Sequence, residues 1–431
     1  MKGGRFVAYT MMQTPRGTKD FLPRDAERKR WVEGVILDLF RRWGYREIIT
    51  PTMEFCDAVS VGDETGLARN LYRFFEREGD LLALRPDVTT PVARVVATRL
   101  RDKPKPIRLC YRANVFRYAE PQAGRRREFY QAGVELVGSN TYLADAEVVA
   151  LTVEALRAVG LKDFRVDIGQ VDYYHGILQH PGLSPEERRS LRLALLKRDY
   201  VALEELLTGC SLPKEDRELL RQLPELRGGQ GILREAMDRA TNPISRSAIK
   251  NLTAIYEILE AYDLADWIQV DLGMIKDIEY YTGMVLEAYT ADMGFTIGTG
   301  GRYDNLIDHF GYNCPATGFA LGIERIMLAL SRQQGWLPTA NRRVLCQEVA
   351  KRPELSWQIA RHLREQGCIV ELDVGDRSEA ETEEYALASG FTWIVCPLSS
   401  KQVRVWNPEA GWRKMVLAEL VAVLEGEGPS E

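Results

Sequence analysis

Arg117, Gln131 and Glu135 are residues whose types and spacing suggest chemistry, all within FRYAEPQAGRRREFYQAGVELVG (residues 116–138). Alternation in VFRY and again in EFYQAGVELVG reads as two strands, with the Pro-Gln-Ala-Gly between them as the turn. Residues an even number apart share a strand face, so an arginine, an amide and a carboxylate can point into one pocket. Just past the turn, Arg125, Arg126 and Arg127 present planar forks of donors suited to an anion. Taken alone, the segment reads equally as a solvated basic hairpin.

The surrounding elements must place these groups. From Asp25 to Trp43, apolar residues at Trp31, Val35, Ile36, Leu39 and Phe40 recur at helical spacing, and Gly44 supplies a stop. YREIITP reads as a strand, and LLALRP as another that leads into a helix beginning near Thr90. Strands return at PIRLCYRANVFRY and REFYQAGVELVG, a helix covers Ala144 to Val159, and FRVDIGQ is a further strand. From about Gly176 to Ala261 leucines fall three and four apart among charges, the pattern of packed helices. Strands resume at WIQVDLGM, YYTGMVLEAYT and GFTIGTGGRYD. QQGWLPTAN (residues 333–341) is a polar break carrying Gly and Pro, the expected domain boundary. Beyond it, strand and helix alternate as β-α-β-α-β, followed by a QVRVWNP strand, a turn and a final AELVAVLEG helix. The mixture predicts an α+β core followed by a small α/β domain.

Bulk properties exclude several classes. A chain of 431 residues predicts two domains. With 45% apolar and 28% charged residues, the composition is that of a soluble globular protein. No apolar run approaches the roughly 20 residues that cross a bilayer, and the N-terminus does not read as a signal peptide. Seven cysteines stand singly, with no CxxC pair, and with only four histidines no zinc spacing appears. Reduced thiols and a cytoplasmic location are expected, with no metal and no cofactor. A net charge of −5 and a pI near 5.7 lower the expectation of a nucleic-acid partner.

Six segments in order carry a resemblance. They are PRGTKDFLP (15–23), LRPDVTTPVAR (84–94), the hairpin run above, DIEYYTGMVLEAY with GGRYDNLIDHFG (277–289 and 300–311), and PATGFALGIERIM (315–327). Together they resemble the class II aminoacyl-tRNA synthetases, specifically histidyl-tRNA synthetase and its paralogue, the regulatory subunit of short-form ATP phosphoribosyltransferase. The hairpin is similar to motif 2 and the last segment to motif 3. The resemblance implies a histidine-sized pocket lined by Asp87, Thr89, Arg117, Gln131, Glu135, Tyr280 and Tyr281. Asp87 would accept from the ammonium group, and the tyrosines would offer hydroxyls and flat surfaces to an imidazole. The bland alternative is that Asp87 caps the helix near Thr90, worth about 1 kcal/mol, and that the tyrosines are core.

The phosphate side departs from the synthetase pattern. Motif 2 of the synthetase gives an Arg and then, two residues on, a Glu that helps to hold ATP; here Ala119 follows Arg117 at that spacing. Where the synthetase reads RGLDYY this chain reads KDIEYY, so Lys276 replaces a bidentate Arg and Asp277 adds a negative charge. Each lost transition-state contact costs on the order of 10²–10³ in rate, which makes efficient amino-acid activation unexpected. Arg125, Arg127, Lys276 and Arg325 are then vestigial nucleotide or anion contacts. Arg325 reads equally as a structural ion-pair partner.

The expectation is therefore a class II synthetase-like core over residues 1–333, with a mostly antiparallel sheet of six or seven strands and a helical insertion at about 176–261. A small anticodon-binding-like α/β module follows over 342–431. The resemblance implies a regulatory subunit without catalytic residues, joined to the short catalytic subunit and hosting histidine as feedback inhibitor. It also implies a homodimer within a hetero-oligomer, paired through the first helix and the strand after it near Asp25 to Thr52, with tRNA an unexpected partner. The alternative is a histidine–tRNA ligase.

Overall fold

The computed structural model describes residues 12–60, 70–118, 126–275, 281–291, 293–333, 343–347, 352–375 and 377–425. The chain divides into two compact units, Met1–Gly335 and Trp336–Glu431.

The first unit opens with helix α1 (Pro23–Arg42). Proline in the first turn gives up only an N–H that no helix can use. Asp25 in that turn and Arg41 with Arg42 in the last complement the helix dipole. Its inward face, Val32, Ile36, Leu37, Leu39 and Phe40, is buried in the unit's own core, and Trp31 and Val35 pack against the same core. Phe40 meets Phe319 edge-on, with centroids 5.7 Å apart. The apolar stripe of α1 is thus packed within the chain, while Ile49, in the same expected stretch, is 87% exposed.

The main sheet has nine strands rather than six or seven. They are β1 (Arg46–Glu47), β5 (Ile107–Phe116), β6 (Glu128–Val137), β7 (Arg165–Gln170), β8 (Arg227–Gly228), β9 (Ile268–Asp271), β10 (Met284–Tyr289), β11 (Gly298–Arg302) and β12 (Ala316–Gly322), in the order β1-β5-β6-β12-β11-β10-β7-β9-β8. The edge strands β1 and β8 are only two residues long, too short for a period-2 pattern to announce. Pairing is antiparallel from β5 through β7 and parallel at β1–β5 and β7–β9. A separate small sheet, β2 (Met53–Phe55), β3 (Arg73–Phe75) and β4 (Leu81–Leu84), has the order β2-β4-β3.

Helix α2 (Cys56–Val59) follows β2, α3 (Thr89–Arg99) follows β4, and α4 (Tyr142–Ala158) links β6 to β7. The insertion is a run of helices: α5 (Val171–Leu178), α6 (Pro185–Lys197), α7 (Tyr200–Gly209), α8 (Lys214–Gln222), α9 (Gln230–Arg239) and α10 (Pro243–Ala261). Ser184 and Glu187 form a capping box on α6, and Asn242 caps α10 ahead of Pro243. Helix α11 (Ile323–Arg332) closes the unit.

The second unit follows the order β13 (Arg343–Gln347), α12 (Pro353–Glu365), β14 (Ile369–Asp373), α13 (Glu379–Ser389), β15 (Trp393–Pro397), β16 (Gln402–Asn407), β17 (Gly411–Val416) and α14 (Leu417–Glu425). Its sheet runs β14-β13-β15-β16-β17, parallel across the first three strands. Strand β17 was expected as turn; Arg413 and Lys414 are consecutive exposed cations that interrupt the apolar alternation. Among the described residues no helix is long and apolar enough to cross a membrane.

Candidate functional site

Strand register brings the hairpin residues onto one face of the main sheet. Leu109, Glu135, Gly318, Gly301 and Val285 form one rung across β5, β6, β12, β11 and β10; Tyr111, Gly133, Ala320, Thr299 and Glu287 form the next. Gln131 sits opposite Ala113 and Gly322 on the rung beyond, four residues or about 13 Å from Glu135. The even-spacing argument for Gln131 and Glu135 therefore holds.

The glycines on these rungs explain how polar side chains lie flat on the sheet. A Cβ at Gly318 would overlap the Glu135 carboxylate, and one at Gly133 the Tyr111 hydroxyl. At Gly301, whose φ is +153°, a Cβ would stand 2.8 Å from the Tyr281 ring. Alanine at any of the three would push a polar group off the floor.

Glu135 is the centre of the site and is 1% exposed. The Thr89 hydroxyl donates to its Oε1 at 2.8 Å, and the Tyr303 hydroxyl donates to Oε2. Burial pushes its carboxyl up to about 8; Tyr303 and Thr89 pull it back, and the Asp87 charge adds to the rise. The buried Tyr111 phenol is raised well above its ordinary value by burial and by the Glu135 charge beside it. The hydrogen-bond partners of Glu135 are neutral hydroxyls. Gln131 places a buried Oε1 with no hydrogen-bond partner on the same face.

Other expected members take specific posts around this centre. Asp87 Oδ1 accepts from the Thr90 amide at 2.9 Å, so one carboxylate oxygen caps α3 as the bland reading required. Arg117 donates Nε to the Pro86 carbonyl at 2.9 Å and lies 5.4 Å from the Phe129 ring centroid, bracing the turn that carries Asp87. Tyr281 is buried against the glycine floor. Arg127 lies over the Tyr118 ring at 4.3 Å, and its amide donates to the Gly17 carbonyl at 2.9 Å. Arg325 donates to the Thr296 carbonyl at 2.6 Å and sits 5.2 Å from the Phe295 centroid, bracing that stretch of backbone. Glu324 accepts the Tyr130 amide on both oxygens, at 3.1 and 3.0 Å. Ala119, Arg125, Lys276, Asp277 and Tyr280 lie outside the described residues.

Sequence reasoning missed Tyr111 and Tyr303. A tyrosine facing a glycine across β5 and β6 was the available signal for the first. The second sits in GGRYDN, where the chain leaves β11. Among the described residues no group of three or more His, Cys, Asp or Glu is placed to hold a metal, and all seven cysteines are free.

The family model described as histidyl-tRNA synthetase matches residues 17–326. An ATP phosphoribosyltransferase regulatory subunit of Moorella thermoacetica is 43% identical over 89% of this chain and 98% of its own length. The protein of that name from Acetivibrio thermocellus is 37% identical over 96% of this chain and its full length. Among solved structures, a Bacillus halodurans protein described as an ATP phosphoribosyltransferase regulatory subunit/histidyl-tRNA synthetase superposes with a TM-score of 0.80. It is 32% identical and covers 90% of this chain and 98% of its own. A histidyl-tRNA synthetase from Nostoc reaches a TM-score of 0.82 at 20% identity over 96% of this chain and 99% of its own, which speaks for the fold alone. A nine-stranded class II synthetase-like sheet and identities of about 40% across most of the chain place it: this chain belongs to the histidyl-tRNA synthetase family, among the ATP phosphoribosyltransferase regulatory subunits.

Proposed function

We propose that this chain is the non-catalytic partner of a short-form ATP phosphoribosyltransferase, required for its activity, and that it carries the histidine site for feedback inhibition. The observation that supports this most is Glu135, a fully buried carboxyl whose hydrogen-bonded partners are hydroxyls. An acid so placed invites a ligand that brings its own donors, and a histidine imidazole or ammonium supplies them. Thr89 and Tyr303 orient Glu135, Gln131 adds an unpartnered acceptor, and Asp87 keeps one oxygen beyond its cap bond. Arg117, Tyr281 and, from the sequence, Tyr280 complete the proposed lining. Arg125, Arg127, Lys276 and Arg325 are proposed as relics of nucleotide contacts; Arg325 already serves the Thr296 carbonyl.

Inhibition requires that histidine bind one state of the complex better than the other, since equal affinity shifts nothing. A surface for partners is suggested by the small sheet, where Met53 and Phe55 share a face with Phe74 and all three are exposed. That face is a proposed seam for a homodimer or for the catalytic subunit.

The test is reconstitution. The short catalytic subunit should be inactive alone, become active with this chain, and be inhibited by histidine; Asp87→Ala should abolish the inhibition. Histidine-dependent exchange of pyrophosphate with ATP should stay at background. A transferase that is fully active alone, or exchange at synthetase-like rates, overturns the proposal.

A further inference from the structure

Behind the pocket, on the opposite face of the sheet, lies a buried ion pair that touches no part of the proposed ligand site. Arg302 ends β11, and its side chain turns away from the face that carries Gly301. Its Nε donates to Asp145 Oδ2 at 3.1 Å, and Nη2 stands 3.0 Å from Asp145 Oδ1 as the ion-pair contact. Nη1 donates to Asp304 Oδ1 and to the Ser139 carbonyl, each at 3.0 Å, and Nη2 reaches the Thr141 carbonyl at 3.4 Å. Four hydrogen bonds and one further ion-pair contact thus hold a group whose planar fork offers five N–H donors.

The acceptors matter for where they sit. Ser139 and Thr141 belong to the segment leaving β6, the strand of Glu135, while Arg302 itself leaves β11 immediately ahead of Tyr303. The backbone is tied as well. The Thr282 amide donates to the Arg302 carbonyl at 2.8 Å, the Asp304 amide donates to Thr282 Oγ1 at 3.0 Å, and the Tyr303 amide donates to the Ala316 carbonyl at 2.8 Å. Gly283 leaves room for the Arg302 side chain, whose Cδ a Cβ would meet at 3.0 Å. The exit of β6 is therefore tied to the Arg302 side chain, and the turn after Tyr281 to its backbone.

We propose that Arg302, held by Asp145 and Asp304, is a positioning residue that fixes the Tyr303 hydroxyl on Glu135 and so sets the affinity of the pocket. The inference rests on the histidine reading above, and it deepens that reading by naming a residue that acts through another. A lysine cannot span two carboxylates and two carbonyls, so Arg302→Lys keeps the charge and loses the clamp.

Histidine binding to the full chain by titration calorimetry provides the test, with Arg302→Lys, Tyr303→Phe and the double variant. Each single change should weaken binding about tenfold, the scale of one hydrogen bond to a charged group, and the double variant should be no weaker than Tyr303→Phe alone. Losses that multiply to about a hundredfold, or Arg302→Lys binding as the unsubstituted chain does, overturn the inference. Should Arg302→Lys fail to fold, Asp304→Ala, on a half-exposed partner, takes its place under the same criteria. A second readout needs no histidine: the protonated Glu135 carboxyl followed by infrared titration, assigned with Glu135→Gln. The charged and titratable groups around it are Asp87, Tyr111 and Tyr303. Arg302→Lys should move its midpoint upward as Tyr303→Phe does, because the Tyr303 bond favours the ionised form. An unmoved midpoint refutes the clamp. If the unsubstituted chain binds no histidine while this midpoint moves, the proposed ligand is wrong and the clamp stands.

Discussion

Two glutamates are buried on opposite faces of the same sheet, and they are held in opposite ways. Glu33 on α1, with no exposed surface, is ringed by cations: Lys29 on Oε1, with Arg30 at 2.7 Å and Arg112 at 3.5 Å on Oε2. Lys29 also stands 3.3 Å from the Tyr130 ring centroid. Glu135 has hydroxyls from Thr89 and Tyr303 instead. The first acid is complete within the chain and braces α1 against β5. The second has no cation among its hydrogen-bond partners, and in the proposed function that difference is what separates a structural acid from a binding one.

The largest effect that sharpens this contrast is on stability at Glu33. Glu33→Gln strips the buried Lys29 of its partner and should cost about 3–5 kcal/mol in chemical denaturation, with histidine affinity unchanged within twofold. Glu135→Gln should do the reverse. Histidine affinity should fall about a hundredfold, roughly 2.7 kcal/mol by calorimetry, while the stability of the ligand-free chain holds or rises. If both substitutions unfold the protein equally, the distinction fails.

A smaller effect is the pH dependence. Glu135 titrates at about 8 when folded and near 4.5 when unfolded, so the native state binds the extra proton between those values. Stability of the ligand-free chain should therefore fall as pH rises from about 4.5 to about 8, with this group contributing at most about 1.4 kcal/mol per pH unit. Asp167, raised by burial to about 6, adds to the same slope at its acid end. Glu135→Gln should flatten the slope up to pH 8, and an unchanged slope would mean that Glu135 is not the buried acid responsible. Smallest of all, Asp87→Ala should lower the melting stability by about 1 kcal/mol through the lost cap on α3. Asp87→Asn, which retains an acceptor for the Thr90 amide, should restore most of that stability without restoring histidine binding.

Local signals were readable in the sequence, and long-range ones were not. Period-2 alternation placed β5 and β6, and parity alone put Gln131 and Glu135 on one face. The leucine spacing marked the insertion helices. The motif register brought Thr89 to Glu135, which no local pattern could do. Tyr303 and the Asp145–Arg302 pair escaped because their partners lie 168 and 157 positions away, where no pattern within a window reports a contact. The stripe on α1 shows the same limit. Spacing reveals an apolar face, but the sheet that covers it is assembled from strands far along the chain.

The bare floor under Glu135 carries a consequence for how such a protein changes over generations. Gly133, Gly301 and Gly318 contribute no side chains of their own, so what the pocket accepts is decided by residues that reach over them from other rungs and turns. Thr89, Tyr281 and Tyr303 lie outside the strands, so exchanging them leaves the sheet's own pairing in place. Inheritance can therefore rewrite the ligand while leaving the architecture untouched, and one scaffold can serve as a catalyst in one lineage and as a sensor in another.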